Sequence, residues 1–314
     1  MAKAGRGGKL VERQENKYEM RFHLYMARFL PAKDENGLCD PYVVVKYYGQ
    51  TIKSSVKEAT CNPSWYETVV ASVVVPEPLE LAPPITVLVY DQDNYNSDDL
   101  IGRFYLPLTQ SMLVGGNTPP TPTWSKLMYE TPGDVSGEVL ATLTMVPDGK
   151  KGSQAPPNLL PETVDATVEL TVVGLRDMTP LPLMGALGDA LGLGAMGIPL
   201  ASPYLEMDMG DAKTRKTTKV ASYPSPNNPN YLETYTVQMK LPKNELFSPT
   251  MTLRVRDVRS IPGGYVIGKP LVATGTIALA DKMPWGKDFK VLESPISKHA
   301  QEERATDPES QKKA

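Results

Sequence analysis

The sequence predicts an all-β protein made of two tandem antiparallel β-sandwiches. Three observations support this class. Short runs rich in β-branched and aromatic residues recur along the chain, and turn-forming residues separate them. A divergent copy of the first series of runs then follows a stretch rich in proline and glycine.

The first sandwich is expected at residues 18–147. Its eight predicted strands are 18–30, 42–48, 51–56, 65–75, 85–91, 101–106, 123–128 and 137–146. No predicted strand precedes the run that leads into the first acidic loop, whereas 137–146 follows all the others. We therefore expect the eighth strand to close the sandwich from its C-terminal side.

The second sandwich is expected at residues 165–293, after a linker at 148–164 that lacks apolar periodicity. Its predicted strands are 166–175, 204–209, 218–222, 232–239 and 251–257, and no closing strand is recognisable after them. Residues 1–17 carry basic side chains without an apolar core segment, which predicts a flexible arm. The polar, aperiodic residues 294–314 predict a disordered tail.

Composition narrows the function classes. The net charge of −3 gives no bulk positive field that would draw nucleic acid or an anionic membrane to the chain. No apolar run of about 18 residues occurs, which argues against a bilayer-spanning segment. Cys39 and Cys61 have neither metal-ligand spacing nor the density of a secreted scaffold, which predicts free thiols in a reducing, cytoplasmic compartment. An enzyme is the least favoured class, because His23 and His299 have no recognisable nucleophile beside them.

Two acidic loops stand out in the first series. Asp91, Asp93 and Asp99 crowd the end of one predicted strand, and an earlier loop holds Asp34 and Asp40, six positions apart. If both loops lie at one end of a sandwich, carboxylates about 5 Å apart repel by about 1–3 kcal/mol per pair. A divalent cation would relieve that repulsion. Carboxylates without a His or Cys partner favour Ca²⁺ over zinc, and flexible loops favour it over Mg²⁺.

These residues resemble the C2 domain family. The motifs are Asp34 followed by Asp40-Pro41-Tyr42-Val43, then Asn62-Pro63-Ser64-Trp65, and Asp91-x-Asp93 followed by Asp99-x-Ile101-Gly102. The resemblance implies a C2 sandwich of type II topology and a calcium site formed by all five aspartates.

The tandem arrangement resembles the ferlins more specifically, and the resemblance covers about residues 18–280. The segments that carry it are Gly174-Leu175-Arg176-Asp177-Met178, Ser202-Pro203-Tyr204-Leu205-Glu206 and Leu241-Pro242-Lys243-Asn244-Glu245. Ferlins are large tail-anchored proteins of calcium-triggered vesicle fusion and membrane repair, so the resemblance implies a role in membrane fusion, exocytosis and vesicle trafficking. Because the other ferlin domains are missing, a fragment or a short relative is expected.

The second series keeps little of the acidic pattern. Asp177 and Asp257 remain, whereas Ser202, Arg259 and Tyr265 stand where three of the aspartates would be. Two carboxylates beside a guanidinium predict a salt-bridged loop rather than a calcium site.

An apolar insertion at residues 179–201 holds five glycines, three prolines and a single charged residue, Asp189. Long apolar loops have to be shielded from water. Two interpretations stay open at this point: a hairpin that inserts into lipid, or a segment that packs against the neighbouring domain or a partner.

The leading functional hypothesis is a calcium-dependent phospholipid-binding module on the cytoplasmic face of membranes. Bound metal would convert the acidic rim into a surface that coordinates anionic headgroups. Leu38 and Tyr95 lie between ligands at the loop tips, where they would contact the membrane or simply pack within the loops. The alternative is a calcium-independent scaffold that holds protein partners of the trafficking machinery.

Overall fold

The structure is a computed structural model that describes residues 14–32, 37–77, 79–93, 97–113, 118–129, 135–148, 155–180, 199–210, 214–261 and 265–285. It is an all-β protein with two antiparallel sandwiches in tandem, as the sequence predicts.

The first sandwich has eight antiparallel strands in the sheet order β3-β2-β5-β6-β7-β8-β1-β4. They are β1 (Gln14–Arg28), β2 (Pro41–Tyr47), β3 (Gln50–Lys53), β4 (Ser64–Glu77), β5 (Ile85–Asp91), β6 (Asp99–Leu106), β7 (Thr123–Met128) and β8 (Val135–Pro147). Single 3-10 turns at Leu79–Leu81 and Gln110–Leu113 lie on the connections. Within the described chain β6 pairs with β7 only through Arg103 and Met128, so the order divides into two four-stranded layers.

Strand β1 is the centre of its layer. Met20, Phe22 and Leu24 are fully buried in the hydrophobic core, and Arg21 and His23, which alternate with them, are buried on the opposite face of the strand. Full burial of such an apolar side chain contributes about 1.5–3 kcal/mol. β8 runs antiparallel to β1 from Tyr18↔Pro147 to Arg28↔Glu138, so the expected C-terminal closure is confirmed.

The second sandwich is less complete among the described residues. Its strands are β9 (Thr163–Gly174), β10 (Pro203–Asp208), β11 (Lys216–Thr217), β12 (Asn230–Pro242), β13 (Thr250–Asp257), β14 (Arg259–Ile261), β15 (Tyr265–Gly268) and β16 (Leu271–Ala278), with 3-10 turns at Glu245–Phe247 and Ala280–Lys282. One sheet has the order β11-β10-β13-β16, β12 pairs with β9, and β14 forms a hairpin with β15. The described chain up to residue 285 has no counterpart of β7 or β8.

The predicted strand at 218–222 is wrong, because the ladder beside β10 ends at Thr217. The backbone N–H of Ala221 still donates to the Pro203 carbonyl at 3.1 Å. The ladder ends earlier, because the backbone N–H of Leu205 donates to the Thr218 hydroxyl at 3.0 Å rather than to a backbone carbonyl.

The same local geometry repeats in the two sandwiches and confirms the internal repeat. Phe29 and Asp177 both have a left-handed backbone, with φ of 58° and 54°. In each case an asparagine side chain accepts the backbone N–H of that residue: Asn62 at 2.9 Å and Asn228 at 3.0 Å. These bonds help hold a conformation that non-glycine residues rarely adopt.

This correspondence corrects one alignment made from the sequence. Asp177 occupies the position of Phe29, five residues before Asp34 in the first domain, and so does not stand in for that aspartate. The second domain therefore retains even less of the acidic pattern than expected.

Candidate functional site

Strand register brings several of the predicted ligands to one end of the first sandwich. Asp91 at the end of β5 pairs with Pro41 at the start of β2 and with Asp99 at the start of β6. Asp40 directly precedes Pro41, and Asp93 lies two residues beyond Asp91. The described residues of loop 1 (29–32 and 37–40) and of loop 3 (92–93 and 97–98) therefore meet at this end, which we call the acidic end.

Asp91 is the most enclosed of these carboxylates, with 1% of its surface exposed. Its Oδ1 accepts the backbone N–H of Asp40 at 2.6 Å. The backbone N–H of Gln92 donates in turn to the Asp40 carbonyl at 3.1 Å. These bonds fix the end of loop 1 against the start of loop 3.

Asp40 connects the same end to a third segment, loop 2 (residues 54–63). Its Oδ1 accepts the backbone N–H of Ala59 at 2.6 Å. The backbone N–H of Leu30 donates to the Cys61 carbonyl at 3.1 Å, which places loop 2 alongside loop 1. Cys39 and Cys61 are buried free thiols with their Sγ atoms 3.8 Å apart, in agreement with the sequence expectation.

Asp98 is a further carboxylate at the acidic end that sequence reasoning did not single out. Its Oδ2 accepts the Tyr42 hydroxyl at 2.6 Å, and its Oδ1 accepts the backbone N–H of Asp93 at 3.2 Å. These bonds, that of Tyr42 first, hold the pKa of the Asp98 carboxyl below its usual range. Burial and the bond to Asp98 raise the pKa of the Tyr42 phenol. The spacing of the family motif points to Asp99. The only signal for Asp98 in the sequence is that it adjoins Asp99.

Not all of the predicted residues can be placed. Asp34 and Tyr95 lie outside the described residues. Leu38 is 6% exposed, so in this structure its side chain is covered rather than presented at a loop tip. Across the described ranges no three His, Cys, Asp or Glu groups lie close enough to hold a metal ion. Two of the carboxylates, Asp40 and Asp91, instead accept backbone N–H groups.

The second domain has an ion pair where the first domain has Asp91 and Asp93. Asp257 is fully buried, and its Oδ1 accepts the backbone N–H of Ser202 at 2.7 Å, just as Asp91 accepts that of Asp40. The Nε atom of Arg259 lies 2.6 Å from Asp257 Oδ2. The predicted salt-bridged loop is thus confirmed: a fixed guanidinium meets the buried carboxylate. The apolar insertion 179–201 lies almost entirely outside the described residues.

Comparison with known proteins gives the family. The C2 domain model matches residues 18–127 and 166–284. Mouse myoferlin is 26% identical over 272 residues, which cover 80% of this chain and 12% of the relative. Ferlin 1 of Toxoplasma gondii is 24% identical over 277 residues, covering 86% of this chain and 18% of the relative.

Among solved structures, the C2A and C2B domains of extended synaptotagmin 2 match with a TM-score of 0.33 and 18% identity, over 90% of this chain and 85% of that one. The chain spans less than a fifth of the length of the two curated relatives. The two family matches together cover well over half of the sequence. The chain therefore belongs to the C2 domain family, as a protein with two C2 domains in tandem that is similar to the ferlins.

Proposed function

We propose that the first C2 domain binds calcium ions through its loop aspartates and, once loaded, binds anionic phospholipid. The observation that carries the proposal is the register of β2, β5 and β6. In this register Asp91 pairs with Asp99 on β6 and with Pro41, the residue after Asp40, on β2. Asp93 follows within the same loop.

The chemistry of the donor set fits calcium. The proposed ligands are Asp34, Asp40, Asp91, Asp93 and Asp99. All are carboxylates, which are the hard oxygen donors that Ca²⁺ prefers, and they lie on loops that can adjust to its irregular coordination. Bound calcium would supply positive charge at a rim that is otherwise negative, and the rim could then hold lipid phosphate.

Other features of these residues would contribute to calcium and lipid binding. Asp91 is already held by the backbone N–H of Asp40, so it offers a fixed point around which the other carboxylates can gather. Leu38 and Tyr95 would add apolar contact with the headgroup region once the loops are exposed.

The similarity to ferlins supports a membrane-peripheral role on the cytoplasmic face, within vesicle trafficking and membrane fusion. No helix in the described part of the chain has the length and apolar character needed to cross a bilayer. The proposed partners are anionic membranes and proteins of the trafficking machinery. The proposal includes neither nucleic acid as a partner nor an enzymatic activity.

A second candidate function is a calcium-independent protein-interaction scaffold. The ion pair of Arg259 with buried Asp257 favours it for the second domain, because that carboxylate is balanced without metal. In this case calcium would only stabilise the first domain's loops.

Sedimentation with vesicles tests the proposal. The full chain is mixed with phosphatidylcholine vesicles, with and without phosphatidylserine, in calcium or in chelator. We expect binding only with phosphatidylserine and calcium, and loss of binding in the double variant Asp91→Asn/Asp93→Asn. Asp177→Asn, an exposed carboxylate of the second domain, is the matched control and should bind like wild type. Equal binding in chelator would favour the scaffold function instead.

A further inference from the structure

The acidic end of the first domain touches the second domain. Asn62 in loop 2 donates from Nδ2 to Thr252 Oγ1 on β13 at 2.6 Å, and both residues are buried. The Oδ1 of the same side chain accepts the backbone N–H of Phe29 in loop 1. One amide therefore links loop 1, loop 2 and the second domain.

Loop 1 makes its own contact with the second domain. Gly37 lies so close to Leu271 on β16 that an added Cβ would come within 2.6 Å of a Leu271 methyl carbon. Leu38, the next residue, is 6% exposed. A side chain proposed to enter lipid is thus buried, and the residue before it contacts the second domain.

The surface that receives these loops is the face of the β10-β13-β16 sheet that points away from the second domain's own core. Met251 and Leu253 of β13 belong to that core, and Thr252 lies between them on the other face. Alternation along the strand therefore directs Thr252 to the first domain. The face carries a buried charge network of its own, since Arg254 and Arg256 both bind Glu206 at 3.1 Å.

The contact is incompletely packed. A cleft of about 290 Å³ remains between residues 29–32 of loop 1 and residues 274–276 of β16. Among the described residues the contact consists of the Asn62–Thr252 hydrogen bond and the approach of Gly37 to Leu271, both beside this open cleft, so we expect it to open at moderate cost.

A second contact between the domains is apolar and lies apart from the loops. The ring of Phe247 in the second domain packs at tilted angles against Tyr25 and Tyr66, with ring centroids 5.3 Å and 6.4 Å away. Leu159 of the linker is buried in the same cluster. This cluster can keep the domains tethered while the loop contact opens.

The proposed ligand Asp40 is connected to the contact that loop 2 makes with the second domain. Asp40 binds the backbone N–H of Ala59, and Ala59 lies three residues before Asn62 in the same loop. Movement of loop 2 away from Thr252 therefore changes the surroundings of Asp40. Calcium binding and domain docking act on the same few residues.

We propose that the β10-β13-β16 face of the second domain docks onto loops 1 and 2 of the first domain and keeps loop 1 from reaching membranes. Release of this contact precedes insertion of loop 1 into lipid, so the docked second domain inhibits the first. The inference rests on the proposed function of the first domain and adds its regulation. Opening raises the fraction of competent molecules and hence the apparent affinity for calcium and lipid.

Full-length variants test the docking. The release variant Thr252→Glu/Leu271→Asp places carboxylates in the contact, and Val173→Asp, at an exposed position on β9, is the matched control. We expect the release variant to bind phosphatidylserine vesicles at about tenfold lower calcium concentration than wild type. Its radius of gyration in small-angle scattering should also increase, while the control keeps wild-type values. An unchanged calcium requirement in the release variant overturns the proposal.

A locked variant gives the opposite perturbation. Asn62→Cys/Thr252→Cys, with Cys39→Ala and Cys61→Ala, should form a disulfide across the contact when oxidised with oxidised glutathione, which is reduced to two thiols in the exchange. We expect vesicle binding to be lost on oxidation and recovered on reduction. Equal binding in both redox states, with the disulfide verified by mass, overturns the proposal. Failure of wild type and release variant alike to respond to calcium would instead remove the proposed function itself.

Discussion

Arg259 supplies a fixed cation to the second domain at the place where the first domain carries Asp93, and its removal should have a measurable cost. In Arg259→Met the carboxylate of Asp257 keeps its place but loses its ion-pair partner. Asp257 is fully buried, and the separation between Arg259 Nε and Asp257 Oδ2 is 2.6 Å. Breaking a buried pair by removing one partner costs about 3–5 kcal/mol.

Two features of the site reduce that figure. The backbone N–H groups of Ala201 and Ser202 still donate to Asp257, and the Arg259 side chain is 19% exposed, so solvent screens part of the attraction. We therefore expect a loss of about 2–3 kcal/mol. For a domain of this size that corresponds to a fall of roughly 10 °C in the unfolding temperature.

Differential scanning calorimetry of the full chain in chelator measures this loss. Arg259→Lys keeps the charge and should retain most of the stability, whereas Arg103→Met, at an exposed position of the first domain, should change nothing. If Arg259→Met unfolds at the wild-type temperature, the guanidinium does not balance Asp257 and the account of this loop is wrong.

Two further perturbations test the packing of the fold. Burial, with a smaller contribution from Arg21, lowers the pKa of His23 from 6.5 to about 4. Between about pH 6.5 and 4 the His23 imidazole is protonated in the unfolded chain but neutral in the folded chain. The free energy of unfolding should therefore fall over this range, by at most about 3 kcal/mol. His23→Gln should flatten this dependence in urea unfolding, and an unchanged pH profile would contradict it. Phe247→Ala removes the aromatic contact with Tyr25 and should cost about 1–3 kcal/mol in thermal unfolding. Tyr223→Ala, at a position 82% exposed, is its control, and equal melting of the two variants would refute a stabilising role for the cluster.

Patterns that are local in sequence predicted much of the first domain. The strands at 85–91 and 123–128 have the expected bounds, because β-branched residues and flanking turn signals mark both ends. Asp91 pairs with Asp99 and with Pro41, the residue after Asp40, because these strands end beside one another. The second domain was predicted less well, since β14, β15 and β16 were missed. Ala273 and Gly275 weaken the apolar alternation of β16, so its strand signal is faint.

Other features could not be found in local patterns at all. The placement of Asp177 at the position of Phe29 depends on backbone geometry that the spacing of aspartates does not reveal. The contact of Gly37, the residue before buried Leu38, with Leu271 joins two domains across more than two hundred positions of sequence. Spacing identifies ligand candidates, whereas their accessibility is a property of the tertiary arrangement.

Calorimetric titration of the full chain with calcium tests the central claim most directly. The account predicts that wild type binds calcium with measurable heat, that Asp91→Asn/Asp93→Asn shows no binding, and that the double variant remains folded in chelator. Binding that is absent from wild type, or that persists unchanged in the double variant, would contradict the assignment of the calcium site to the aspartates of the first domain.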